Sequence, residues 1–272
     1  QAYNAARLAQ LCEWLVQIGG ESPDSAHLAT AADEADQVNE LLRQADALRT
    51  ADAPRLSGTQ MLHLIGCAAI LPPSELVPLL EAIVADASSL PLHEGTRVVV
   101  AGSGHELDSH YAAIEAEGFH IVAETHEWGM TRVARSTPRT VQQWSEPTRA
   151  VPGAIASAQA LAEAALHQAD RLGAQAVIHL SIDADEAAPW HAPALHRMLD
   201  SDVKSAMALH VLRAPLNDVE ALCQALRGET PERAPRAKPA TPPARKARSR
   251  KLLKASAASG EYQREWFAQV RA

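Results

Sequence analysis

The spacing of apolar residues changes near residue 96, and this change limits the folds open to the chain more than any other feature. Before it, apolar residues recur every three or four positions, as on one face of a helix. After it, short aliphatic runs at 97–102, 119–124, 174–182 and 203–211 alternate with helical stretches. This alternation predicts a four-stranded parallel sheet with crossover connections. The predicted fold is therefore α/β, with helices flanking the sheet and a helical layer before it.

Helical segments are predicted on both sides of this change. They are 4–18, 32–49, 58–71 and 73–87 in the first third of the chain, then 107–117, 153–172, 192–200 and 215–227. Ser57 and Ser74 are predicted N-caps, because serine side chains accept hydrogen bonds from the first free amides of a helix. The helical layer is assigned to residues 1–92 and the α/β domain to residues 93–228.

The formal charge of −8 is unevenly distributed along the chain. Residues 231–254 carry nine basic residues and one acid, so this stretch is +8 and the remainder is −16. The acidic body argues against a nucleic-acid partner, and the basic stretch has no interleaved aromatic residues. Its prolines and alanines predict a disordered linker at 229–248. Residues 249–272 are predicted to form a helix, either the start of a second module or a simple basic amphipathic helix.

No segment approaches the roughly 20 apolar residues that span a bilayer, and none has the pattern of a secretion signal. The chain is therefore predicted to be cytoplasmic and to have no membrane partner. Cys12, Cys67 and Cys223 are odd in number, lack CxxC spacing and lie in helical contexts, so they are interpreted as core thiols. The chain begins with Gln1 and stops within a helical pattern, which indicates a fragment.

Polar side chains gather where three of the predicted strands end. They lie in "GSGHELD" (102–108), "THEWGM" (125–130) and "SIDADEAAPWH" (181–191). The carboxyl ends of parallel strands meet at one edge of a sheet, and open α/β sheets bind their ligands there. We name these three segments the carboxyl edge and predict that they share one crevice. Large aromatic residues in such loops, here Trp128 and Trp190, usually pack against a ligand or a partner.

Two other kinds of site are weighed against this pattern. Gly102-Ser103-Gly104 is followed by Leu107 where a dinucleotide fingerprint has its third glycine, so nicotinamide binding is not predicted. A metal site could draw on His105, His110, His126, His179, His191, Asp183 and Asp185. These residues lack HxH or HExxH spacing, and solvated loops are often polar in any case. No metal site is therefore predicted.

Three blocks of the sequence carry a family resemblance. They are "GTQMLHLIGCAAILPPSELVPLLEAIVAD", "RVVVAGSGHELDSHYAAIEAEGFHIVAETHEWGM" and "ALAEAALHQADRLGAQAVIHLSIDADEAAPWHAPALHRML". In this order they resemble the C-terminal half of subunits of the 2-hydroxyacyl-CoA dehydratase and benzoyl-CoA reductase family, among them the 2-hydroxyglutaryl-CoA dehydratase D-component. The resemblance covers about residues 1–212 and lies in the succession of the blocks and in the unit "RVVVAGS…IEAEGFHIVAE" of the second block.

The resemblance implies flavodoxin-like α/β domains, an acyl-CoA substrate and a [4Fe–4S] cluster held by cysteines. It also implies a heterodimer with a homologous subunit, and an ATP-dependent activator protein that supplies single electrons for radical chemistry in anaerobic metabolism. Family members carry cysteines in loops where this chain has Thr125–Trp128 and Asp183–Asp185. Because thiolates hold such clusters, no cofactor is expected in this chain alone, and the cluster is expected in the partner subunit.

The predicted function is that of a subunit or fragment of a 2-hydroxyacyl-CoA dehydratase-like or benzoyl-CoA reductase-like enzyme. His126 and Glu127 are the candidate catalytic residues, since an imidazole changes protonation near neutral pH. The candidate substrate-binding residues are Ser103, Gly104, His105, Trp128, Asp183 and Trp190. The amides of Gly104 and His105 are expected to donate to a thioester oxygen. Two alternatives stay open, a non-catalytic scaffold subunit and a flavodoxin-like module for another phosphate-bearing ligand.

Overall fold

Four parallel strands form the sheet that the change of spacing predicts. They are β1 (Thr96–Gly102), β2 (Phe119–Glu124), β3 (Ala176–Ile182) and β4 (Ala208–Ala214). Their order is β2-β1-β3-β4, which is the order of the first four strands in flavodoxin-like folds. The predicted fold class is confirmed.

The computed structural model describes residues 2–22, 24–104, 108–133, 137–145, 157–183, 185–201, 207–214 and 219–227. Within these ranges the helices are α1 (Ala2–Gln17), α2 (Ser25–Thr50), α3 (Gly58–Ala68), α4 (Pro73–Ala85), α5 (Asp108–Ala116), α6 (Val141–Trp144), α7 (Ala158–Arg171), α8 (Ala192–Ser201) and α9 (Val219–Leu226). None of them, over the described ranges, combines the length and apolar character needed to cross a bilayer. The predicted linker at 229–248, the predicted helix at 249–272 and His105 lie outside the described residues.

The fourth strand lies further along the chain than its predicted range of 203–211. It pairs with β3 from Ala208 opposite Ala176 to Ala214 opposite Ile182. The length of the neighbouring strand thus sets the end of β4, and local hydrophobicity does not. Residues 203–206 lie outside the described part of the chain.

One of the two predicted helix caps is confirmed and the other is wrong. Ser57 caps α3: its hydroxyl accepts from the Gln60 N–H at 3.1 Å, and the Gln60 side chain accepts from the Ser57 N–H at 2.9 Å. Ser74 does not cap α4, which has Pro72 at the cap and Pro73 as its first helical residue. Proline suits that first position because it needs no donor there, so the helix starts one residue before Ser74.

This difference gives a matched pair of substitutions. Ser57→Ala is expected to lower the free energy of unfolding by about 1 kcal/mol, because it removes the acceptor of a helix-terminal amide. Ser74→Ala is exposed and caps nothing, so it is expected to change stability by less than about 0.5 kcal/mol. Urea denaturation of both variants measures the difference. Equal effects would contradict the assigned caps.

Each face of the sheet has its own hydrophobic core, because alternate strand residues point to opposite faces. Val98 and Val100 of β1 pack toward α3, α5 and α9, in a cluster with Leu62, Ile114, Ile121, Ile178, Leu180 and Leu222. Val99 and Ala101 pack toward α7 and α8, in a cluster with Val122, Val177, Ala162, Ala165, Ala169 and Leu195. The small alanines of α7 let this helix lie close to the sheet.

The helical layer has a separate core, and α3 joins it to the sheet. Helices α2, α3 and α4 bury Leu42, Met61, Ile65, Leu76 and Leu80 against one another. Another residue of α3, Leu62, belongs to the core of the sheet. The carboxylate of Glu115 on α5 accepts from the Gly58 N–H at 2.6 Å and from the Thr59 hydroxyl at 2.7 Å. The first turn of α3 is therefore anchored to the α/β part.

Candidate functional site

The loops after β1 and β3 meet at the carboxyl edge through Ser103. This side chain is buried, and its hydroxyl donates to the Asp185 carboxylate at 2.8 Å and accepts from the Ile182 N–H at 3.0 Å. Asp185 also accepts from the N–H groups of Ala187 and Ala188. Partial burial acts to raise the pKa of Asp185, but these hydrogen bonds outweigh it and the pKa is lowered. Ser103 thus orders two loops of the edge.

The turn out of β1 depends on a glycine. Gly102 has a φ of +104°, and a Cβ atom there would lie 2.2 Å from the Leu180 carbonyl oxygen. Only glycine fits both the left-handed backbone and this approach. The turn brings the Ser103 N–H to 2.9 Å from the same carbonyl oxygen, to which it donates. The backbone therefore delivers Ser103 into the space between β1 and β3.

The loops after β1 and β2 touch each other at Gly104. A Cβ atom at this position would lie 2.8 Å from Glu127 Oε1 and 3.2 Å from Trp128 Cδ1. Glu127 is exposed, and Trp128 is partly buried beneath the guanidinium of Arg132, whose Cζ lies 4.4 Å from the centre of the ring. Three of the predicted site residues, Gly104, Glu127 and Trp128, are therefore neighbours on the accessible side of the edge.

His126 is held inside this edge and does not face solvent. It is 3 % exposed, its Nδ1 accepts from the Trp128 N–H at 3.2 Å, and its Nε2 lies 2.7 Å from the Tyr111 hydroxyl. With Nδ1 as an acceptor, the neutral ring carries its hydrogen on Nε2 and donates it to Tyr111. Burial lowers the pKa of His126, although Glu124 and Glu127 oppose this. The neutral form therefore prevails at neutral pH.

A buried ion pair lies directly behind His126. Arg49, at the end of α2, is 1 % exposed and donates to Glu124, the last residue of β2, at 2.6 Å and to Asp46 on its own helix. Burial acts to raise the pKa of Glu124, but the Arg49 guanidinium outweighs it and lowers the pKa. Burial acts to lower the pKa of Arg49, but the carboxylates of Glu124 and Asp46 outweigh it and raise the pKa. The helical layer is thus bound electrostatically to the end of β2.

The segment "THEWGM" needs a glycine at position 129, because the Glu124 side chain of this ion pair lies against it. A Cβ atom on Gly129 would lie 1.8 Å from Cγ of Glu124, so a larger residue would displace the carboxylate. Glu124 also accepts from the Met130 N–H at 2.6 Å. The loop therefore folds back over Glu124, and this return places His126, Glu127 and Trp128 at the edge.

Another buried histidine near the carboxyl edge lies on β3. His179 is fully buried, and neither of its ring nitrogens has a hydrogen-bond partner among the described residues. Its ring meets that of His191 edge to face, with centroids 6.3 Å apart. A cavity of about 20 Å³, large enough for about one water, is lined by both histidines, Gly102 and Thr125. Burial, helped by His191, lowers the pKa of His179 to about 4.

Two further predicted site residues have exposed side chains at or after the end of β3. Asp183 is exposed at the end of β3, and Trp190 is 74 % exposed in the 3₁₀ turn Ala188–Trp190. His105 lies outside the described residues. The catalytic and binding roles assigned to the carboxyl edge remain predictions.

The described donor groups do not fit an iron–sulfur cluster. Cys12, Cys67 and Cys223 lie in α1, α3 and α9, and none of them belongs to the three segments of the carboxyl edge. Both ring nitrogens of His126 and the carboxylate of Asp185 are already engaged in hydrogen bonds. Over the described ranges, no three His, Cys, Asp or Glu side chains are grouped so as to hold a metal ion.

Sequence patterns did not point to Arg49 or Tyr111 as neighbours of the site. Arg49 reaches Glu124 from 75 positions away, and Tyr111 reaches His126 from the helix that follows β1. The one local signal was Glu124 itself, an acidic residue at the end of a buried strand. Such a residue needs a cation, but the sequence does not show which one.

Comparison with known proteins identifies the family. A search of curated proteins gives no match. The profile of the family described as 2-hydroxyglutaryl-CoA dehydratase, D-component, matches residues 1–211. This range contains the helical layer, the first three strands, most of β4 and the whole carboxyl edge. The resemblance inferred from the three sequence blocks is confirmed, and the chain belongs to the 2-hydroxyglutaryl-CoA dehydratase D-component family.

Proposed function

We propose that this chain is a subunit of a 2-hydroxyacyl-CoA dehydratase-like or benzoyl-CoA reductase-like complex, in which a homologous partner carries the [4Fe–4S] cluster. Membership of the D-component family supports the dehydratase class, a CoA thioester substrate and a partner in general. Single-electron chemistry driven by an ATP-dependent activator is part of the proposal. The observation that carries it is the ligand set of the carboxyl edge, which lacks thiols and whose His126 and Asp185 are already hydrogen-bonded.

In this proposal the accessible side of the carboxyl edge faces the acyl-CoA at the subunit interface. Gly104, Glu127 and Trp128 are in contact there, which offers a backbone amide, a carboxylate and an aromatic surface. The Gly104 N–H would donate a hydrogen bond to the thioester oxygen, and the Glu127 carboxylate would contact the acyl group. His126 is the proposed proton donor in its doubly protonated form, since the neutral ring keeps its single hydrogen on Nε2 toward Tyr111.

A second candidate function, a non-catalytic scaffold, is favoured by two observations. His126 is buried and its pKa is lowered, which suits an ordering role better than proton transfer at neutral pH. Trp190 is 74 % exposed at the same edge, and exposed tryptophans are frequent anchors of protein interfaces. In this case catalysis belongs to the partner, and this chain docks through Trp128 and Trp190.

The location of iron and the assembly of the complex test the proposal. Purified alone without oxygen, the chain is expected to contain no stoichiometric iron, whereas its complex with the homologous subunit should contain about four irons. Trp190→Ala is expected to weaken assembly by about 30-fold, as for an interface hot spot. Trp14→Ala, a similarly exposed tryptophan on α1, is the control and should leave assembly unchanged.

Turnover of the assembled complex separates the two functions. If His126→Ala and Glu127→Ala abolish acyl-CoA turnover while assembly is kept, this chain contributes to catalysis. If both variants turn over substrate normally and only Trp190→Ala disrupts the complex, the chain is a scaffold. Four irons bound to the chain alone would contradict both candidate functions, because each of them assigns the cluster to the partner subunit.

A further inference from the structure

A cavity of about 270 Å³ lies in the helical layer, between α2, α3 and α4. Its size is near the lower end of the range for small-molecule sites, about 300–1,000 Å³. Aliphatic side chains form most of its wall, namely Val38, Leu42, Ile65, Leu71, Leu76 and Val133. Several of these also belong to the core of the layer, so the wall is fixed by packing. The cavity suits an aliphatic group.

Two polar residues, Asn39 and Arg132, complete the lining of this cavity. Arg132 is exposed, and its guanidinium lies over the Trp128 ring with Cζ 4.4 Å from the ring centre. Stacking on an aromatic face restrains a guanidinium while leaving its N–H groups, which lie in the guanidinium plane, available. Within the described part of the chain, no carboxylate forms an ion pair with Arg132. A restrained cation is therefore available beside a mainly aliphatic wall.

We propose that this cavity binds a small organic anion with a short aliphatic body and a carboxylate or phosphate head that pairs with Arg132. The aliphatic body would pack against the aliphatic wall, and the planar guanidinium of Arg132 matches two oxygens of either head group. A neutral apolar molecule would not use the arginine, and inorganic phosphate would not use the wall. The cavity lining includes none of Gly104, Glu127 and Trp128, so this ligand is proposed as additional to the acyl-CoA, with its head group beside the Trp128 ring on which Arg132 lies.

Titration calorimetry of the full chain with hexanoate, hexyl phosphate and hexanol tests the proposal. At least one of the two anions is expected to bind saturably with one site per chain, and hexanol at least about tenfold more weakly, because it lacks the charge-assisted hydrogen bonds. The tighter of the two anions identifies the head group as carboxylate or phosphate. Absence of saturable binding by both anions, or equal binding of hexanol, would overturn the proposal.

Three variants locate the binding. Arg132→Gln is expected to weaken anion binding by about tenfold or more, whereas Arg7→Gln should not change it. Arg7 is the matched control, because it is also an exposed arginine over an aromatic ring, that of Tyr3, and it lies outside the cavity. Ala35→Leu should occupy part of the cavity and weaken binding with Arg132 still present. Unchanged affinity in Arg132→Gln or in a folded Ala35→Leu variant would refute this site.

Discussion

Replacing Arg49 with methionine is expected to lower the free energy of unfolding by about 3–5 kcal/mol, because Glu124 would be left charged and buried without its cation. Methionine keeps much of the volume of the side chain, so the loss reports the ion pair more than a cavity. Chemical denaturation at neutral pH, followed by circular dichroism, measures the effect.

Two further variants separate the ion pair from general damage to α2. Arg43→Met, on the same helix, removes a solvent-exposed pair with Glu40 and is expected to cost less than about 1 kcal/mol. Adding Glu124→Gln to Arg49→Met should restore part of the lost stability, since the buried charge is then absent. A loss of less than about 1 kcal/mol in Arg49→Met would show that the pair contributes little.

Acid is expected to destabilise the protein through His179. Its pKa falls from 6.5 to about 4 on folding, so the folded state disfavours its protonation. The stability that this neutral histidine contributes is complete above pH 6.5 and is lost as the pH falls through 4. The shift corresponds to about 3 kcal/mol between these two pH values.

The measurement is the free energy of unfolding at pH 7, 5.5 and 4. His179→Phe keeps a ring at this position without a titrating group, so its stability should fall with acid by about 3 kcal/mol less than that of the unsubstituted chain. His196→Phe, at an exposed position on α8, should keep the original pH dependence. Identical pH profiles for the two variants would contradict a buried neutral His179.

The sheet was predictable because its signals are local. Aliphatic runs such as Arg97–Gly102 specify strands, and the helices between them require parallel connections. The predicted boundary of β4 was less exact, because its pairing with β3 runs on to Ala214 opposite Ile182. Residues distant in sequence then decide where this strand ends.

The carboxyl edge was predictable as a place but not as a set of contacts. Parallel strands necessarily bring their carboxyl ends together, and Ser103 indeed contacts Asp185 there. The sequence does not show that His126 is buried, because this depends on Tyr111 from α5. The sequence also does not show that Arg49 pairs with Glu124, because this contact requires α2 to pass the end of β2. Such tertiary contacts have no periodic signal.

The position of α3 limits how this protein could exchange parts with its relatives during evolution. In sequence α3 belongs to the first third of the chain, but Leu62 helps to cover the sheet, and Glu115 holds the amide of Gly58. A recombination event near residue 92 would import a sheet without the helix shaped to cover it. Lineages are therefore expected to inherit the two parts together, with substitutions at Leu62 and Glu115 compensated across that boundary.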